Sequence, residues 1–427
     1  MIVIIGAGPA GLSAAHHLGG TDHLILEQSA EPGGLCRSFE LDGVPFDLGG
    51  HAFFTRHEYV RELLARTSPR GLFTQQRQAW VHAYGTLLRY PFQSHLHGLP
   101  RPVVEECLVG LYEAASRSGG DPQNLREWIE RSFGAGIARH FLLPYNEKLW
   151  AHPLDGISPD WTSRRVVMPR MDEIVSGALG PAEFTRFPNH VVTYPESGGF
   201  FGLFEGLADA ARARTRRAAV KEVDARRRRV TTGDGEVIAY DALISTMPLD
   251  LLVQATDGLG DCCRAAARSL RHNSLHLVNL VVDRPRLTDM QRIYVADPAV
   301  PFHKLVLNSN SSDALRELPR FGIQAEISWS RHKPVALTGL VDQVTHGLRG
   351  MGVLRADDRI TASGVVTLER AYPVFGPDTA AAREHLLACL GAFDIFGAGR
   401  FGEWLYINSD DAVLRGKVRA EEVLAAA

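Results

Sequence analysis

The N-terminal region alternates short apolar runs with glycine-rich or polar segments. Residues 2–5 (IVII) are wholly apolar, which is typical of a strand buried on both faces of a parallel sheet. A glycine turn and a helical pattern up to Leu18 follow, and residues 23–27 (HLILE) repeat the buried-strand pattern. This order predicts a β-α-β unit at the start of the chain.

Helical periodicity dominates residues 101–150. Apolar residues recur there at helical spacing, at Val104, Leu108, Leu111 and Tyr112. The pattern predicts an inserted helical subdomain between stretches of β structure.

Residues 216–248 follow the pattern of β structure. They read as a strand, a β-hairpin turned at Gly233-Asp234-Gly235 and a buried strand that ends near Pro248. We therefore expect the chain to return here to the first sheet. Four arginines at 226–229 accompany the hairpin, and a solvated strand is favoured over a nucleic-acid site for them.

Composition places the chain among ordinary globular proteins. Its 427 residues exceed the ~100–200 residues of one domain and indicate two intertwined domains. The formal net charge is −3, from 46 basic and 49 acidic side chains, so no overall field favours nucleic acid or an anionic membrane. No segment approaches the ~20 uninterrupted apolar residues of a membrane span. We expect neither a nucleic-acid nor a membrane partner.

The cysteines bear on compartment and on metal binding. They are scattered along the chain, at Cys36, Cys107, Cys262, Cys263 and Cys389. The vicinal pair at 262 and 263 has no partner at metal-ligand spacing, so no metal site is expected. Scattered cysteines favour a reducing, cytoplasmic setting.

The first chemical motif is a glycine pattern between the first strand and its helix. Gly6, Gly8 and Gly11 fill the G-x-G-x-x-G pattern in the context that the pattern needs. The first glycine allows a tight turn, the second lets the backbone approach a pyrophosphate, and the third permits close packing of helix on strand. Glu27 ends the second strand, where a carboxylate can accept hydrogen bonds from a ribose. The motif predicts a dinucleotide site and leaves NAD, NADP and FAD open.

Two further motifs favour FAD. The string EPGGLCRS, with Gly33, Gly34, Arg37 and Ser38, resembles the second glycine motif of the amine oxidase and protoporphyrinogen oxidase class of flavoproteins. The C-terminal glycine motif at 397–404 also suits that class, in which the last motif closes over the cofactor. The resemblance implies FAD as the cofactor.

Motifs along nearly the whole chain resemble those of the UDP-galactopyranose mutases. The segment DLGGHAFFTRH (47–57) is similar to the mobile histidine loop of that family. The segments RYPFQ (89–93) and YNEKLWAHP (145–153) are similar to its nucleotide-contacting stretches. WTSRRVVMP (161–169) resembles the stretch that bears a substrate arginine, and GRFGEWLYINSDD (399–411) resembles the terminal signature.

The resemblance implies a role for each matching residue. The implied catalytic residues are His51 against the isoalloxazine, Arg165 at the sugar diphosphate, and Lys304 in place of a second arginine. The implied cofactor-binding residues are Gly6, Gly8, Ala10, Gly11, Glu27, Gly34, Leu35, Arg37, Gly49, Gly50, Val220, Arg400 and Asp410. The implied substrate-binding residues are Tyr90, Gln93, Asn146, Trp150, Arg165, Tyr294, Lys304, Tyr372 and Tyr406.

The reaction implied by the family is redox-neutral. The N5 atom of the reduced flavin attacks the anomeric carbon, the nucleotide diphosphate departs, and the opened sugar recloses as a furanose. The flavin is then a covalent catalyst that must first be reduced, by NAD(P)H or another donor. Tyrosine hydroxyls and an arginine fork suit this chemistry because they bind a diphosphate and stabilise it as a leaving group.

Two positions depart from the family pattern. Lys304 is a point charge instead of a bidentate fork, and a tyrosine expected soon afterwards is Ser311. These changes leave the sugar and the base open. UDP-galactose is the family default, and a deoxy- or amino-hexose on UDP, TDP or GDP is the alternative. The oligomeric state is open too, with a homodimer as one option.

The predicted fold class is α/β, with a Rossmann-like FAD-binding domain, a mixed β-sheet substrate domain and an inserted helical subdomain. The expected boundaries are 1–90 plus 190–250 plus 385–427 for the FAD-binding domain, 100–165 for the helical subdomain, and 90–100 plus 165–190 plus 250–385 for the substrate sheet. The predicted function is a reduced-FAD-dependent pyranose–furanose mutase acting on a nucleotide-diphosphate sugar. The alternatives are an FAD-dependent amine oxidase or desaturase and a non-catalytic flavin protein that recognises a sugar nucleotide.

Overall fold

The computed structural model describes residues 1–116, 120–162, 166, 168–182 and 189–426. Its strands are β1 (Ile2–Ile5), β2 (His23–Glu27), β3 (Ser38–Leu41), β4 (Val44–Asp47), β5 (Leu72–Gln76), β6 (Ala79–Ala83), β7 (Thr86–Arg89), β8 (Val191–Pro195), β9 (Thr215–Arg217), β10 (Val220–Asp224), β11 (Arg229–Thr232), β12 (Val237–Ala239), β13 (Ala242–Ser245), β14 (Thr256–Asp257), β15 (Arg271–Val282), β16 (Arg292–Val295), β17 (Lys304–Val306), β18 (Phe321–Trp329), β19 (Ile360–Val374) and β20 (Ile395–Gly397).

The helices lie between these strands and on both sides of the first sheet. They are α1 (Pro9–Leu18), α2 (Glu58–Thr67), α3 (Arg101–Ser116), α4 (Leu125–Ile137), α5 (Leu143–Trp150), α6 (Met171–Leu179), α7 (Glu205–Ala211), α8 (Leu249–Ala255), α9 (Asp261–Ser269), α10 (Asp313–Arg316), α11 (Leu340–Gly350), α12 (Thr379–Gly391), α13 (Gly399–Gly402) and α14 (Ser409–Ala426).

The first sheet is parallel, with strand order β20-β13-β1-β2-β9. All four residues of β1 are buried because its two faces join different cores. Ile2 and Ile4 pack in the core that contains residues of α1 and α14, whereas Val3 and Ile5 pack with residues of α8, α9 and α12. The structure confirms the predicted β-α-β unit, and the pairing of β13 with β1 confirms the predicted return of the chain to this sheet.

Helix α1 lies against the C-terminal helix α14 through small residues. A Cβ atom at Gly416 would lie 2.1 Å from the backbone oxygen of Ala10, so only glycine permits this approach. The Ser13 hydroxyl donates a hydrogen bond to the Val413 carbonyl at 2.6 Å. The C-terminal segment is thereby fixed beside the glycine turn that precedes α1.

The second large sheet is mixed, with strand order β19-β15-β18-β17-β16-β6-β7. Only β16 and β6 run parallel, and the other neighbours are antiparallel. Strand β15 is long and mostly buried, and α11 packs with β15 and β18 residues in one hydrophobic core. This is the mixed sheet that the fold prediction requires beside the Rossmann-like sheet.

The predicted helical segment is present as α3, α4 and α5. A Cβ atom at Gly110 would lie 2.8 Å from the backbone nitrogen of Gly136, so α3 and α4 meet through glycines. A π-helical turn, Ala138–Leu142, joins α4 to α5. The core of this segment also packs against tyrosines of the mixed sheet, which places the helices at the edge of the candidate site.

The remaining β structure includes the predicted hairpin. Strands β11 and β12 pair in antiparallel fashion in the sheet β12-β11-β10-β14. The arginines at 226–229 are exposed, as predicted, and Arg227 and Arg228 pair with Asp224 and Asp394. Among the described helices, none combines the length and the apolar character needed to cross a membrane. The domain boundaries stay a prediction.

Candidate active site

The glycine turn before α1 has the geometry that its sequence predicts. Gly6 has a φ of +93°, and a Cβ atom there would lie 2.2 Å from Thr246 Oγ1. A Cβ atom at Gly11 would lie 1.9 Å from the Gly6 oxygen. Gly8 directly precedes α1. A Cβ atom at Gly34 would lie 3.2 Å from the Cα atom of Gly8. The two glycine motifs therefore form one cradle of bare backbone at the N-terminus of α1, which suits a pyrophosphate.

Glu27 lies at the end of this cradle. Its carboxylate accepts backbone N–H bonds from Ala7 and Ser29, each at 2.7 Å. The Glu27 carbonyl accepts a further bond from the Ala218 N–H, which brings Val220 to the same end of the sheet. The two backbone hydrogen bonds orient the Glu27 carboxylate, and the residue is 7% exposed. The carboxylate therefore lies at the end of β2, where a ribose would approach.

Asp47 anchors the histidine loop, a role that the motifs did not predict. It is fully buried and accepts hydrogen bonds from Ser38 Oγ, Tyr194 Oη, Asn308 Nδ2 and the Phe200 N–H, at 2.7 to 2.8 Å. Burial raises the pKa of Asp47, and the hydrogen bonds act against that rise. The first residue of the DLGGH string is thus fixed from four directions.

Gly50 and His51 form the tip of this loop. The Gly50 N–H donates to Glu326 Oε1 at 2.6 Å, and a Cβ atom at Gly50 would lie 2.5 Å from Val306 Cγ2. The His51 ring stacks on Phe200 with a centroid distance of 4.8 Å. Burial lowers the pKa of His51 to about 3, so the ring is neutral at physiological pH. Its buried Nδ1 has no hydrogen-bond partner among the described residues.

Strand register places a cation and a carboxylate beneath this loop. Tyr294 on β16 faces Lys304 on β17, and Lys304 faces Glu326 on β18. Lys304 Nζ lies 2.7 Å from Glu326 Oε2, with the two side chains 13% and 0% exposed. Burial acts to raise the pKa of Glu326, but Lys304 and His303 outweigh it and hold that pKa below its usual range. Glu326 is therefore ionised and paired.

A group of aromatic rings surrounds Tyr406. The ring centroids of Trp150, Trp161 and Tyr372 lie 5.7, 5.4 and 6.0 Å from that of Tyr406. The guanidinium of Arg400 lies 5.4 Å from the Tyr372 ring centroid. Burial raises the pKa of Tyr372. Its hydroxyl is therefore protonated and available as a hydrogen-bond donor.

The terminal signature also fixes the residues that follow Tyr406. Arg400 donates from Nε and Nη2 to the Ile407 carbonyl at 2.9 and 2.7 Å. Asp410 lies in the first turn of α14 and is 6% exposed. Burial, followed by the charge of Asp411, raises the pKa of Asp410, and a hydrogen bond from Thr55 opposes the rise. The Thr55 contact places Asp410 against the histidine loop.

A second aromatic pair lies on the other side of the site. The rings of Tyr90 and Tyr294 lie 4.9 Å apart, and burial raises the pKa of Tyr90 to about 12. Arg77 stacks over both rings, at 5.4 and 5.9 Å, and donates a hydrogen bond to Tyr294 Oη.

Arg292 contacts the histidine loop. It is buried and donates from Nη2 to the His51 carbonyl at 2.6 Å.

Solved structures of similar fold identify the family. A crystal structure of reduced UDP-galactopyranose mutase superposes with a TM-score of 0.95 and 30% sequence identity, over 100% of this chain and 96% of that chain. The chain belongs to the UDP-galactopyranose mutase family. This assignment confirms the resemblance carried by the histidine loop and the terminal signature.

Other comparisons show similarity in fold or in part of the sequence. A family model described as an NAD(P)-binding Rossmann-like domain matches residues 4–67. Putrescine oxidase with bound putrescine has a TM-score of 0.68 at 16% identity, over 99% of this chain and 98% of that chain. Coproporphyrinogen III oxidase of Mycobacterium tuberculosis is 24% identical over 317 residues, which is 65% of this chain and 66% of that protein. The chain thus matches just under two thirds of the length of that curated relative. The Rossmann-like domain and the flavoenzyme neighbours imply FAD as the cofactor.

The structure brings most of the family residues together, and their roles stay predictions. Arg165 lies outside the described residues. Asn146 donates to the Leu142 carbonyl at 2.7 Å and accepts from Trp150 Nε1 at 3.2 Å, so both side chains already have partners within the helical segment. Gln93 is 3% exposed.

Sequence reasoning missed four charged residues of this candidate site, namely Asp47, Arg77, Arg292 and Glu326. Each is a single charge within or beside a strand pattern, which reads as an ordinary solvent-facing position. An available signal was the string QAEISW at 324–329, since Glu326 is flanked there by residues of a buried strand. A lone charge in a fully buried strand requires a partner.

Proposed function

We propose that this protein is a reduced-FAD-dependent mutase that interconverts the pyranose and furanose forms of a nucleotide-activated sugar. The sugar nucleotide would be UDP-galactose or a related hexose or deoxyhexose nucleotide. The main support is that Lys304 lies beneath the histidine loop and that three half-buried tyrosines, Tyr294, Tyr372 and Tyr406, pack against one core, in a chain of the UDP-galactopyranose mutase family. An apolar amine would not need this set of hydroxyl donors and cations.

FAD fits the residues that would hold it. The glycine cradle presents bare backbone at a helix N-terminus, and a Cβ atom at Gly6 or Gly11 would collide with neighbouring atoms. Glu27 would accept the ribose hydroxyls, and Arg400 would approach the pyrophosphate from the terminal signature. When bound and reduced, FAD would supply the nucleophile that displaces the diphosphate from the anomeric carbon.

Hydroxyl and ammonium donors would hold the sugar diphosphate. Tyr294, Tyr372 and Tyr406 would donate hydroxyl hydrogens to phosphate oxygens, and Lys304 would add a positive charge. Preorganised donors of this kind stabilise the charge that develops on a departing diphosphate. Arg165 is proposed as a bidentate partner of the phosphates.

His51 would act through hydrogen bonds rather than through charge. Its pKa of about 3 keeps the imidazole neutral, and its unpartnered Nδ1 is available to the flavin or to a sugar hydroxyl. Asp47 and Phe200 hold the loop and the ring in place. A neutral imidazole beside the cofactor would not compete with Lys304 for the diphosphate.

The decisive experiment compares the reduced and oxidised enzyme. The dithionite-reduced protein is incubated with UDP-galactose and a panel of UDP-, TDP- and GDP-hexoses, and furanose products are separated by chromatography. We expect turnover of at least one sugar nucleotide by the reduced enzyme only, and NAD(P)H or another donor should replace dithionite. Absence of furanose with every sugar nucleotide would reject the proposal.

An FAD-dependent oxidase is the second candidate, because the curated sequence relatives include coproporphyrinogen III oxidase and L-amino-acid oxidases. Steady oxygen consumption with hydrogen peroxide release on an amine or porphyrinogen would favour it. A mutase reduced once with dithionite should instead turn over many substrate molecules without consuming oxygen.

A further inference from the structure

A cluster of thiol and imidazole groups lies away from the FAD and substrate sites. Cys263 Sγ and Cys389 Sγ approach the same ring nitrogen of His385, at 3.8 and 3.7 Å. The ligand atoms of Cys262, Cys263 and His385 all lie within 4.8 Å of one another. None of these cysteines forms a disulfide. Cys262, Cys263 and His385 thus offer two sulfur ligands and one nitrogen ligand to a single point, and Cys389 adds a third sulfur beside His385.

The helices explain why residues so distant in sequence converge. Cys262 and Cys263 occupy the first turn of α9, and His385 and Cys389 lie one turn apart on α12, so they share a face. Ala267 of α9 and Leu386 of α12 pack in the same hydrophobic core, which holds the two helices together.

We propose that Cys262, Cys263, His385 and Cys389 form a structural Zn²⁺ site of the Cys₃His type. Closed zinc sites use four such ligands in tetrahedral geometry. With Zn–S of about 2.3 Å and Zn–N of about 2.0 Å, a tetrahedron places sulfur and nitrogen about 3.5 Å apart. The sulfur–nitrogen distances of 3.7 and 3.8 Å need only a small contraction. Cys389 lies outside the group of ligand atoms within 4.8 Å of one another, so its sulfur must also move towards Cys262 when the metal binds.

The protonation balance of the site is simple. The three thiols release three protons to solvent, His385 binds as the neutral imidazole, and the zinc complex carries a net charge of −1. The first turn of α9 stabilises this charge, since helix N-termini favour anions. A disulfide would use only two of the three sulfurs and would leave His385 without a role.

The place of the cluster in the chain suggests what the metal does. Helix α9 ends at Ser269, just before β15, and α12 begins at Thr379, shortly after β19. The ion would join the two points where the chain leaves the Rossmann-like sheet region and returns to it. Zinc binding would therefore stabilise the attachment of the β15–β19 segment without contacting flavin or substrate.

Metal titration of the FAD-loaded protein tests the proposal. After anaerobic removal of metals with a chelator, Co²⁺ is added, and d–d absorption is followed at wavelengths longer than those of the flavin. We expect one Co²⁺ per chain in a tetrahedral thiolate environment, displaced by one Zn²⁺. Absence of stoichiometric binding would overturn the proposal.

Matched variants locate the ligands. Cys389→Ser and His385→Ala should each weaken Co²⁺ binding by more than about 100-fold, because even the loss of a group that hydrogen-bonds to a metal ligand costs about 10–100-fold in affinity. Cys107→Ser removes a buried cysteine of α3 outside the cluster and should leave Co²⁺ binding unchanged. All variants should retain FAD, which shows that they are folded.

Two results would contradict a zinc site in this place. If the wild type, Cys389→Ser and His385→Ala bound Co²⁺ with equal affinity, these residues would not be ligands and the metal would bind at another site. Loss of two titratable thiols on purification without reductant, with a cross-linked peptide from α9 and α12, would assign a disulfide instead. Neither result depends on mutase activity, so the proposal stands or falls apart from the proposed function.

Discussion

Lys304→Met is the most informative substitution because it removes one member of a buried ion pair. The variant keeps the length of the side chain but leaves Glu326, which is fully buried, without the ammonium group 2.7 Å away. Glu326 would still accept the Gly50 N–H bond at 2.6 Å. Removal of one partner from a buried pair typically costs about 3–5 kcal/mol of stability. For 427 residues, an unfolding entropy of roughly 0.9 kcal/mol/K converts this cost into a melting temperature lower by roughly 3–6 °C.

The loss should depend on pH in a defined direction. In the wild type Glu326 has a folded-state pKa below its unfolded value, so its contribution is complete above about pH 4.5 and is lost only as the pH falls through the folded pKa. In Lys304→Met, burial still raises the pKa of Glu326, but the ammonium charge that opposed this effect is gone. The pKa of Glu326 therefore rises. Stability of the variant then falls as the pH rises through that higher pKa. The deficit should be larger at pH about 7.5 than at pH about 5.

Thermal unfolding at both pH values, with saturating FAD, measures this deficit. Lys304→Arg keeps the charge and should melt close to the wild type. The double variant Lys304→Met/Glu326→Gln removes both charges and should recover most of the loss, because no unpaired buried charge remains. A deficit that is equal at both pH values, or a double variant less stable than Lys304→Met, would refute the reasoning.

Three further predictions concern cofactor and substrate. Gly11→Ala should abolish FAD retention, measured by flavin absorbance after gel filtration, because the added Cβ would lie 1.9 Å from the Gly6 oxygen. Arg165→Ala should lower turnover by about 10²–10³-fold with FAD still bound, the cost of one transition-state donor, and unchanged turnover would reject the role. Arg77→Lys should raise KM for the sugar nucleotide about tenfold with little change in kcat, since it loses the planar stacking on Tyr294. An equal fall in kcat would contradict that assignment.

Local sequence motifs predicted the residues that would bind the pyrophosphate and the ribose of the cofactor. The turn at Gly6 and the carboxylate at Glu27 lie within one β-α-β unit, so their spacing along the chain fixes their spacing in the fold. The resemblance pointed in the same way to His51 and Tyr406, which lie in recognisable strings. The family and the fold class are confirmed, whereas the residue roles stay predictions.

Long-range pairings were beyond the reach of sequence patterns. Arg77 meets Tyr294 across 217 residues, and Gly50 meets Glu326 across 276. The vicinal cysteines had no ligand partner at short spacing, yet Cys263 meets His385 across 122 residues. Such contacts depend on which strands and helices become neighbours, and a single sequence does not state the strand order.

Tyr294, Lys304 and Glu326 lie side by side on three neighbouring strands. The length of the loop at 296–303 therefore decides whether a positive charge lies beside Glu326. Strand β17 has three residues, and its register follows from the connection at 296–303. A deletion in this loop that shifted β17 by one position would place His303 or Leu305 opposite Glu326 instead of Lys304. The same shift would turn the Lys304 side chain to the other face of the sheet. Leu305 cannot carry a charge, and His303, whose pKa burial lowers to about 4 in its native position, is a weaker cation than lysine. Among homologues, a change of length in this loop would thus have the effect of a lysine substitution, although every residue of the site remained the same.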